Sequence, residues 1–420
     1  MDGPRQVIVD DQVVKFWSRT AKPAFELGLL VGQVSSSNAG DVMLAVVPIP
    51  SESESSDVLT RLDDVSVEWV QEVAQQVDRL LPGGIFVLGL YVVSTRDNAS
   101  RVVPYLRSTA EAVALHASVT FVDPVHYLAI VSPKGGFELQ CWYDVTDVNK
   151  ARMVSAVLKT PLTNVKFKQY RTLVDMNEPI SLARIAMDVT SAATDVADTC
   201  MDEVENHLKS LFRRVEESVA VLNVVDDTQV QHMNLLSLTP AQSPASFGDP
   251  LGYIRGAISC VAFLYDREPG AKEMAARYLK HDFVKSMLVR VSLARERWAE
   301  DSQGKPNAVL QEGGVVCFPQ RGLVPWRSTS VLSPHLPATV YVFPDEDAGQ
   351  AVKDALELLG DDTPTAGSLW IALESGSQPA FVKDQDRRVI QTSEYFQHVY
   401  YVLPLVIVIL LLFVQFTSIV

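Results

Sequence analysis

The strongest constraint on the fold lies at the C-terminal end, where residues Val402 to Val420 read VLPLVIVILLLFVQFTSIV. None of these nineteen side chains is charged. A helix of that length rises about 28 Å, close to the ~30 Å hydrocarbon core of a bilayer. Leu, Ile and Val would cover every face of this helix, whereas helices in globular cores usually keep a polar face. The run predicts a transmembrane helix over 399–420, with a buried C-terminal core helix as the alternative.

The residues around this run fit a tail anchor. Tyr401 lies at the level of an aromatic belt, and Pro404 lies in the first turn, where its missing N–H costs least. Basic residues just upstream favour a cytosolic flank, so about 395 residues should face the cytosol. The predicted anchor positions are Tyr401, Val402, Pro404, Leu405, Leu410, Phe413 and Val420.

Charge and cysteine usage narrow the remaining classes. The chain has 420 residues and a formal net charge of -15, which disfavours nucleic-acid binding, because that needs basic patches to displace counterions. Its four cysteines show no C-x-x-C spacing, which is typical of reduced cysteines in a cytosol-facing protein. The N-terminus has no long apolar run, so we expect no signal peptide.

The first 150 residues predict one α/β domain. Apolar stretches at 24–34 and 41–49 are typical of paired strands, and helical spacing over 65–81 ends at Pro82-Gly83-Gly84. The continuous apolar run IFVLGLYVVS that follows predicts a strand buried on both faces.

The rest of the chain predicts a second, α+β domain over 160–360 with two long helices, near 194–222 and 270–299. Strand patterns occupy 165–175, 179–189 and 252–266. Residues 361–398 are interpreted as a linker to the membrane.

Within the buried strand, the block GLYVVST resembles the G-W-Y-H-x-H-P block of the MPN-type zinc proteases. Gly89 and Tyr91 match that block, but Val92 and Ser94 stand where it carries its metal-binding histidines. Valine cannot ligate a metal, and zinc sites in such enzymes need imidazoles. We therefore expect an inactive, MPN-like metalloprotease fold without metal or cofactor. The alternatives are a chance likeness of an ordinary buried strand and, for the nearby Glu26 and Asp97, plain surface or loop charges.

No other catalytic signature is present. The seven histidines form no H-x-H or H-E-x-x-H, and there is no G-x-S-x-G elbow and no Walker loop. We predict a protein that is not an enzyme and has no catalytic residues. A hydrolase stays open only if a distant Cys–His or Asp–His pair meets in the fold.

The segment CFPQRGLVPWR, residues 317–327, is interpreted as a loop. Arg and Trp often anchor interfaces, so Arg321 and Trp326 are candidate partner contacts. The alternative is a loop tucked onto the second domain, with Trp326 covering its core. The complete candidate partner surface is Gly89, Tyr91, Val92, Ser94, Arg321 and Trp326.

Several segments in order resemble one family. GLLVGQVSS at 28–36, LLPGGIFVLGLYVVST at 80–95, the stretch 256–290, VPWRSTSVLSPHLPATVYVFPDED at 324–347 and the terminal apolar run are similar to the odorant-response-abnormal protein 4 family. The chain departs from animal members by its shorter length and its short region after residue 360, so partner contacts made there in the family need not exist in this chain.

The resemblance implies a protein of the endoplasmic-reticulum membrane with most of its chain in the cytosol. It also implies a partner, the cysteine protease of the ubiquitin-fold modifier, which carries its own inactive MPN-like domain and would form a heterodimer with this chain. The expected function is a membrane-anchored adaptor for that protease. The alternative that the family implies is a chaperone for trafficking of some G-protein-coupled receptors.

Overall fold

The computed structural model describes residues 5–19, 25–35, 40–52, 59, 61–94, 99–114, 125–134, 136–159, 166–181, 193–218, 220–223, 230–235, 251–266, 270–301, 315–326, 337–360, 371–372 and 380–383. In this part of the chain, helices and strands alternate in a mixed α/β fold, as the sequence predicts. The predicted tail anchor over 399–420 lies outside the described residues. Among the helices that are described, none is long and apolar enough to cross a membrane.

Six α-helices are found in the described residues. They are α1 Asp11–Ser18, α2 Val67–Leu80, α3 Ala99–Ala114, α4 Ala193–Glu217, α5 Ala271–Asp301 and α6 Ala348–Leu358. The predicted helix over 65–81 is confirmed, and its start has a physical cause. The Ser66 hydroxyl accepts a 3.0 Å hydrogen bond from the Trp69 N–H and caps the first turn.

The strands form three sheets. In chain order they are β1 Gln6–Val9, β2 Glu26–Gln33, β3 Asp41–Pro48, β4 Phe86–Val93, β5 Val125–Val131, β6 Phe137–Tyr143, β7 Arg152–Ser155, β8 Val157–Leu158, β9 Phe167–Ser181, β10 Ala220–Asn223, β11 Val230–Leu235, β12 Leu251–Tyr265, β13 Val315–Cys317, β14 Gln320–Pro325, β15 Pro337–Val342, β16 Ile371–Ala372 and β17 Ala380–Lys383. The sheet orders are β7-β6-β5-β4-β2-β3-β1-β8, β10-β11-β9-β12-β17-β13 and β15-β14-β16.

The first sheet closes on itself. Strands β7 and β8 are separated by one residue in the chain, yet they occupy the two opposite edges of the sheet. The Ala156 N–H donates to the Leu139 carbonyl at 3.1 Å, and the Val157 N–H donates to the Arg5 carbonyl at 2.9 Å. One segment therefore hydrogen-bonds to β6 and to β1, and it joins the two edges into a barrel.

Strand β4 shows why its sequence is apolar throughout. Its Leu90 and Val92 side chains pack in the core beneath α2 and α3, whereas Tyr91 and Val93 pack inside the barrel with residues of α1. Because both faces are covered, a polar side chain at every second position would be buried without a partner, which costs free energy. The prediction of a strand buried on both faces is confirmed.

Two predictions of local structure are wrong. Two strands were expected over 165–175 and 179–189, but β9 runs unbroken over Phe167–Ser181. The polar stretch 175–178 stays extended because every residue of β9 pairs with β12. The predicted loop over 317–327 contains β14, which pairs with β15 from Gln320↔Val342 to Pro325↔Pro337. The prolines of this segment suggested a loop, but its backbone is extended and pairs with β15. Residues 182–189 of the second predicted strand lie outside the described part.

Strand β12 connects the two halves of the molecule. Its Val261, Phe263 and Tyr265 side chains enter the core of the first half, while the intervening side chains face α4 and α5. Apolar residues of β14, β15 and α6 pack in that first core as well. Residues predicted to form a second domain thus share a hydrophobic core with the first 150 residues.

Candidate binding surface and its buried supports

Three of the candidate contact residues, Gly89, Tyr91 and Val92, lie in β4, and Ser94 directly follows this strand. Tyr91, Val92 and Ser94 are buried, and so is Gly89. Gly89 has φ +147°, and a Cβ atom there would lie 2.0 Å from the Tyr127 carbonyl oxygen. Glycine is therefore required for close approach of β4 to β5. Tyr91 packs inside the barrel and Val92 packs in the core beneath α2 and α3, so their side chains do not form the predicted partner surface.

The carboxylate of Glu26, on β2, contacts the MPN-like block directly. It accepts a 2.7 Å hydrogen bond from the Tyr91 hydroxyl and forms an ion pair with Arg19, whose guanidinium also lies 3.9 Å from the centre of the Phe16 ring. Burial, together with the adjacent carboxylate, raises the pKa of the Tyr91 hydroxyl. Glu26 is thus a half-buried, paired charge, which corrects the interpretation as a surface charge.

This arrangement does not assemble metal ligands. Val92 packs on the face of β4 that α2 and α3 cover, whereas Glu26 bonds to Tyr91 on the barrel side. The positive charge beside Glu26 is supplied by Arg19. Asp97 lies outside the described residues. Across the residues that are described, no three His, Cys, Asp or Glu side chains come together as a metal site would need.

Arg321 and Trp326 are buried as well. Trp326 packs in the core shared with the first 150 residues, so the alternative in which it covers the second domain is also corrected. Arg321 donates two hydrogen bonds to the Asp282 carboxylate, at 2.6 and 2.8 Å. Burial lowers the pKa of Arg321, but the Asp282 charge, the Tyr341 hydroxyl and the hydrogen bonds to Asp282 together outweigh this effect and raise the pKa overall. Arg321 lies on β14 and Trp326 directly follows this strand, and both side chains are buried.

Further buried charges surround this pair. Lys285 of α5 lies 3.5 Å from Asp78 of α2, and burial lowers the Lys285 pKa. Arg290 donates to the Pro319 carbonyl, and its guanidinium lies 5.5 Å from the centre of the Tyr341 ring. Sequence reasoning missed this cluster because its members are distant in the chain. The one available signal was charged residues in the apolar helical pattern of 270–299.

The accessible apolar surface lies elsewhere. In the described residues, the large hydrophobic side chains that are exposed are Val148 at 66%, Met153 at 48%, Val157 at 46%, Leu158 at 41% and Leu173 at 57%. Four of these five lie in residues 148–158, the segment that closes the barrel, which we call the closing strip. Within the strip Ala151, Val154 and Ala156 are partly buried, and Ala156 packs against the barrel core, whereas the other side chains are exposed.

The closing strip is held by the barrel interior. The Val157 N–H donates to the Arg5 carbonyl, and the Arg5 guanidinium donates to both Asp41 carboxylate oxygens at 2.6 and 3.0 Å. Asp41 also accepts from the Tyr127 hydroxyl and, at 2.7 Å, from the Ser35 N–H. These bonds fix the inner edge of the strip and leave its outer apolar side chains available for contact.

The fold and surface define a mixed α/β scaffold with a closed sheet, an apolar strip at the closure and charged contacts beneath it. A family model described as ODR4-like, odorant response abnormal 4-like, matches residues 28–368. The chain belongs to this family.

The chain is similar to the protein odr-4 homolog of Homo sapiens, with 25% identity over 415 residues that cover 89% of this chain and 87% of the relative. It is similar to the Xenopus tropicalis homolog with 23% identity over 392 residues, covering 85% and 84%. Among solved structures, the crystal structure of UfSP from C. elegans matches with a TM-score of 0.38 and 9% identity. The match covers 86% of this chain, which spans 57% of that structure's length.

Proposed function

We propose that this protein is a non-enzymatic adaptor that recruits the cysteine protease of the ubiquitin-fold modifier to the cytosolic face of the endoplasmic reticulum. Membership of the ODR4-like family supports this proposal. The observation that carries it is the closing strip, in which four large apolar side chains are exposed on a hydrogen-bonded backbone. Isolated exposed apolar residues are common, but several of them within one short segment point to a protein contact.

In this proposal the N-terminal barrel is an MPN-like fold that has kept its sheet and lost its metal chemistry. Val92 stands where the metalloprotease block carries a histidine, and Arg19 neutralises Glu26. The function of this barrel would be protein binding through its outer surface. The closing strip supplies that outside surface.

Tethering would explain the benefit of such an adaptor. A transmembrane helix over 399–420 would confine the bound protease to the membrane surface and raise its effective concentration near membrane-bound substrates. Binding would also stabilise the folded partner by mass action. Neither effect requires a catalytic group in this chain.

The surface assignment is tested by comparing two exposed apolar positions. Met153→Asp combined with Val157→Asp places charges on the closing strip, whereas Leu173→Asp places one at an equally exposed site on the second sheet. Tagged full-length chains are purified from membranes in mild detergent, and copurifying proteins are quantified. We expect the strip variant to lose the protease and Leu173→Asp to retain it. Equal retention by both variants contradicts the assignment.

The anchor is tested by deleting residues 399–420. We expect the protease to copurify with the truncated chain and to move with it from the membrane to the soluble fraction. If the truncated chain still sediments with membranes, the tail-anchor proposal fails while the binding proposal survives.

The second candidate is a chaperone for G-protein-coupled receptors. It is favoured by Gln415, Thr417 and Ser418, polar side chains that could hydrogen-bond to cargo helices within the membrane. Replacing 399–420 with an unrelated anchor separates the candidates. An adaptor keeps protease recruitment after the replacement, whereas a chaperone of this kind loses its receptor cargo.

A further inference from the structure

The segment Leu81-Pro82-Gly83-Gly84, between α2 and β4, is a motif that the binding proposal leaves unexplained. Gly83 forms a parallel bridge with Ala262 of β12. Its N–H donates to the Val261 carbonyl at 3.0 Å, and its carbonyl accepts from the Phe263 N–H at 2.8 Å. The motif thus hydrogen-bonds the barrel directly to the backbone of the second sheet.

Both glycines are needed for this approach. A Cβ atom on Gly83 would lie 2.7 Å from the Asp282 Cβ atom and 2.8 Å from the Tyr278 carbonyl oxygen. On Gly84, where φ is +82°, it would lie 2.4 Å from the Phe263 carbonyl oxygen. Real Cβ atoms do not approach backbone this closely, so any larger residue would separate the two sheets.

Gln33, at the end of β2, adds a second connection. Its side-chain amide donates to the carbonyls of Gly84 and Phe263, at 2.7 and 2.8 Å, and its oxygen accepts from the Tyr265 N–H at 2.8 Å. One buried side chain of the first sheet therefore satisfies backbone groups of the glycine motif and of β12 in the second sheet. Removing it would leave those groups without partners in a region from which water is excluded.

Asp282 completes the connection from α5. Its carboxylate accepts from the Val261 N–H at 2.8 Å and from the two Arg321 nitrogens. Nearby, the Tyr278 hydroxyl donates to the Val34 carbonyl at 2.9 Å. We call the set Gln33, Gly83, Gly84, Val261–Tyr265 and Asp282 the interdomain clasp. It joins β2, the glycine motif, β12 and α5.

We infer that the interdomain clasp makes the barrel and the second sheet a single rigid body, and that the glycine motif exists to receive β12 and not to bind a ligand. A hinge at this junction would have to break several buried hydrogen bonds and expose paired charges together. The clasp therefore fixes the closing strip relative to the sheet that contains β17, the last described strand. This inference does not depend on the identity of any partner.

A distance measurement across the junction tests the inference. Spin labels are attached through a ketone-bearing amino acid at Met153 and at Leu173, two exposed positions on either side of the clasp, in the full-length chain in detergent. Electron double resonance should give one narrow distance distribution for the labelled chain. A broad or multiply peaked distribution in the otherwise unaltered protein overturns the inference.

Variants then show whether the clasp causes the rigidity. Gly83→Ala should abolish the single narrow peak. The control Gly136→Ala should preserve it: Gly136 is exposed and a Cβ atom there meets nothing within 4 Å, so any strain from its φ of +81° stays in that turn. If Gly83→Ala does not fold, Gln33→Met is used, since it keeps the side chain's size and removes its three hydrogen bonds. A narrow, unshifted distribution in the folded clasp variant refutes the role of the clasp.

Discussion

Arg321 and Asp282 form a two-point ion pair that is completely removed from water, with nitrogen–oxygen distances of 2.6 and 2.8 Å and side-chain exposures of 1% and 0%. Such a pair gains little net free energy over apolar residues of similar size, because both charges lose their hydration. Leaving one charge without the other is far more costly. The pair therefore specifies how β14 meets α5 more than it raises overall stability.

The energetics of this pair lead to a double-substitution prediction. Arg321→Met should lower the free energy of unfolding by about 3 to 5 kcal/mol, because Asp282 keeps a buried charge. Arg321→Met combined with Asp282→Leu should lose clearly less than the sum of the two single substitutions. Chemical denaturation followed by circular dichroism measures all four chains. Additive losses would show that the two side chains are not coupled.

The sequence predicted secondary structure correctly where all the residues that determine an element lie close together in the chain. Helix α2 has its serine cap, apolar stripe and glycine stop within one short stretch, and β4 is apolar on both faces because both faces are covered. The class of fold and the family followed from such segments. The start of α2 and the burial of β4 needed no knowledge of the rest of the chain.

The contact residues could not be predicted in the same way. Arg321 looked exposed because arginine beside prolines usually lies in a loop, and its partner Asp282 is 39 residues away. The closing strip was not singled out because no local feature of 148–158 shows which of its side chains the fold leaves exposed. In the fold, β7 pairs with β6 and β8 pairs with β1. Only this three-dimensional placement shows that the outer side chains of the two strands are exposed.

The surroundings of Glu26 lead to a prediction about zinc. Because Arg19 and Tyr91 already bind this carboxylate and Val92 faces away from it, we expect purified full-length chain to contain no stoichiometric zinc. Arg19→Met should not create a site, since no imidazole is added. Elemental analysis by plasma mass spectrometry after dialysis gives the zinc content. One zinc per chain in the unaltered protein would contradict the placement of β4.

Cysteine reactivity provides a prediction about the barrel interior. Cys141 is buried, and burial raises the pKa of its thiol to about 11. Because the thiolate is the reactive form, maleimide should modify Cys141 at pH 7.5 only as fast as the barrel opens. Peptide mapping by mass spectrometry follows this residue separately from the other cysteines.

A matched variant sharpens the cysteine test. Arg5→Met removes the guanidinium that bonds to Asp41 and loosens the closing strip, so it should accelerate modification of Cys141. Cys260 lies in the other core and should keep its protection. Rapid modification of Cys141 in the unaltered chain would show that the barrel is not closed as described.

His126 on β5 leads to a prediction about pH. Burial lowers its pKa from 6.5 to about 4, and its Nδ1 atom has no hydrogen-bond partner in the described residues. Between pH 6.5 and 4, the unfolded chain binds a proton at His126 that the folded chain does not, so stability falls as the pH falls through this window. The loss is at most about 3 kcal/mol and is complete near pH 4.

His126→Gln cannot titrate there, so its free energy of unfolding, measured by urea denaturation at several pH values, should decline less steeply. Parallel pH profiles for the two chains would mean that His126 is already protonated, or accessible to water, in the folded protein.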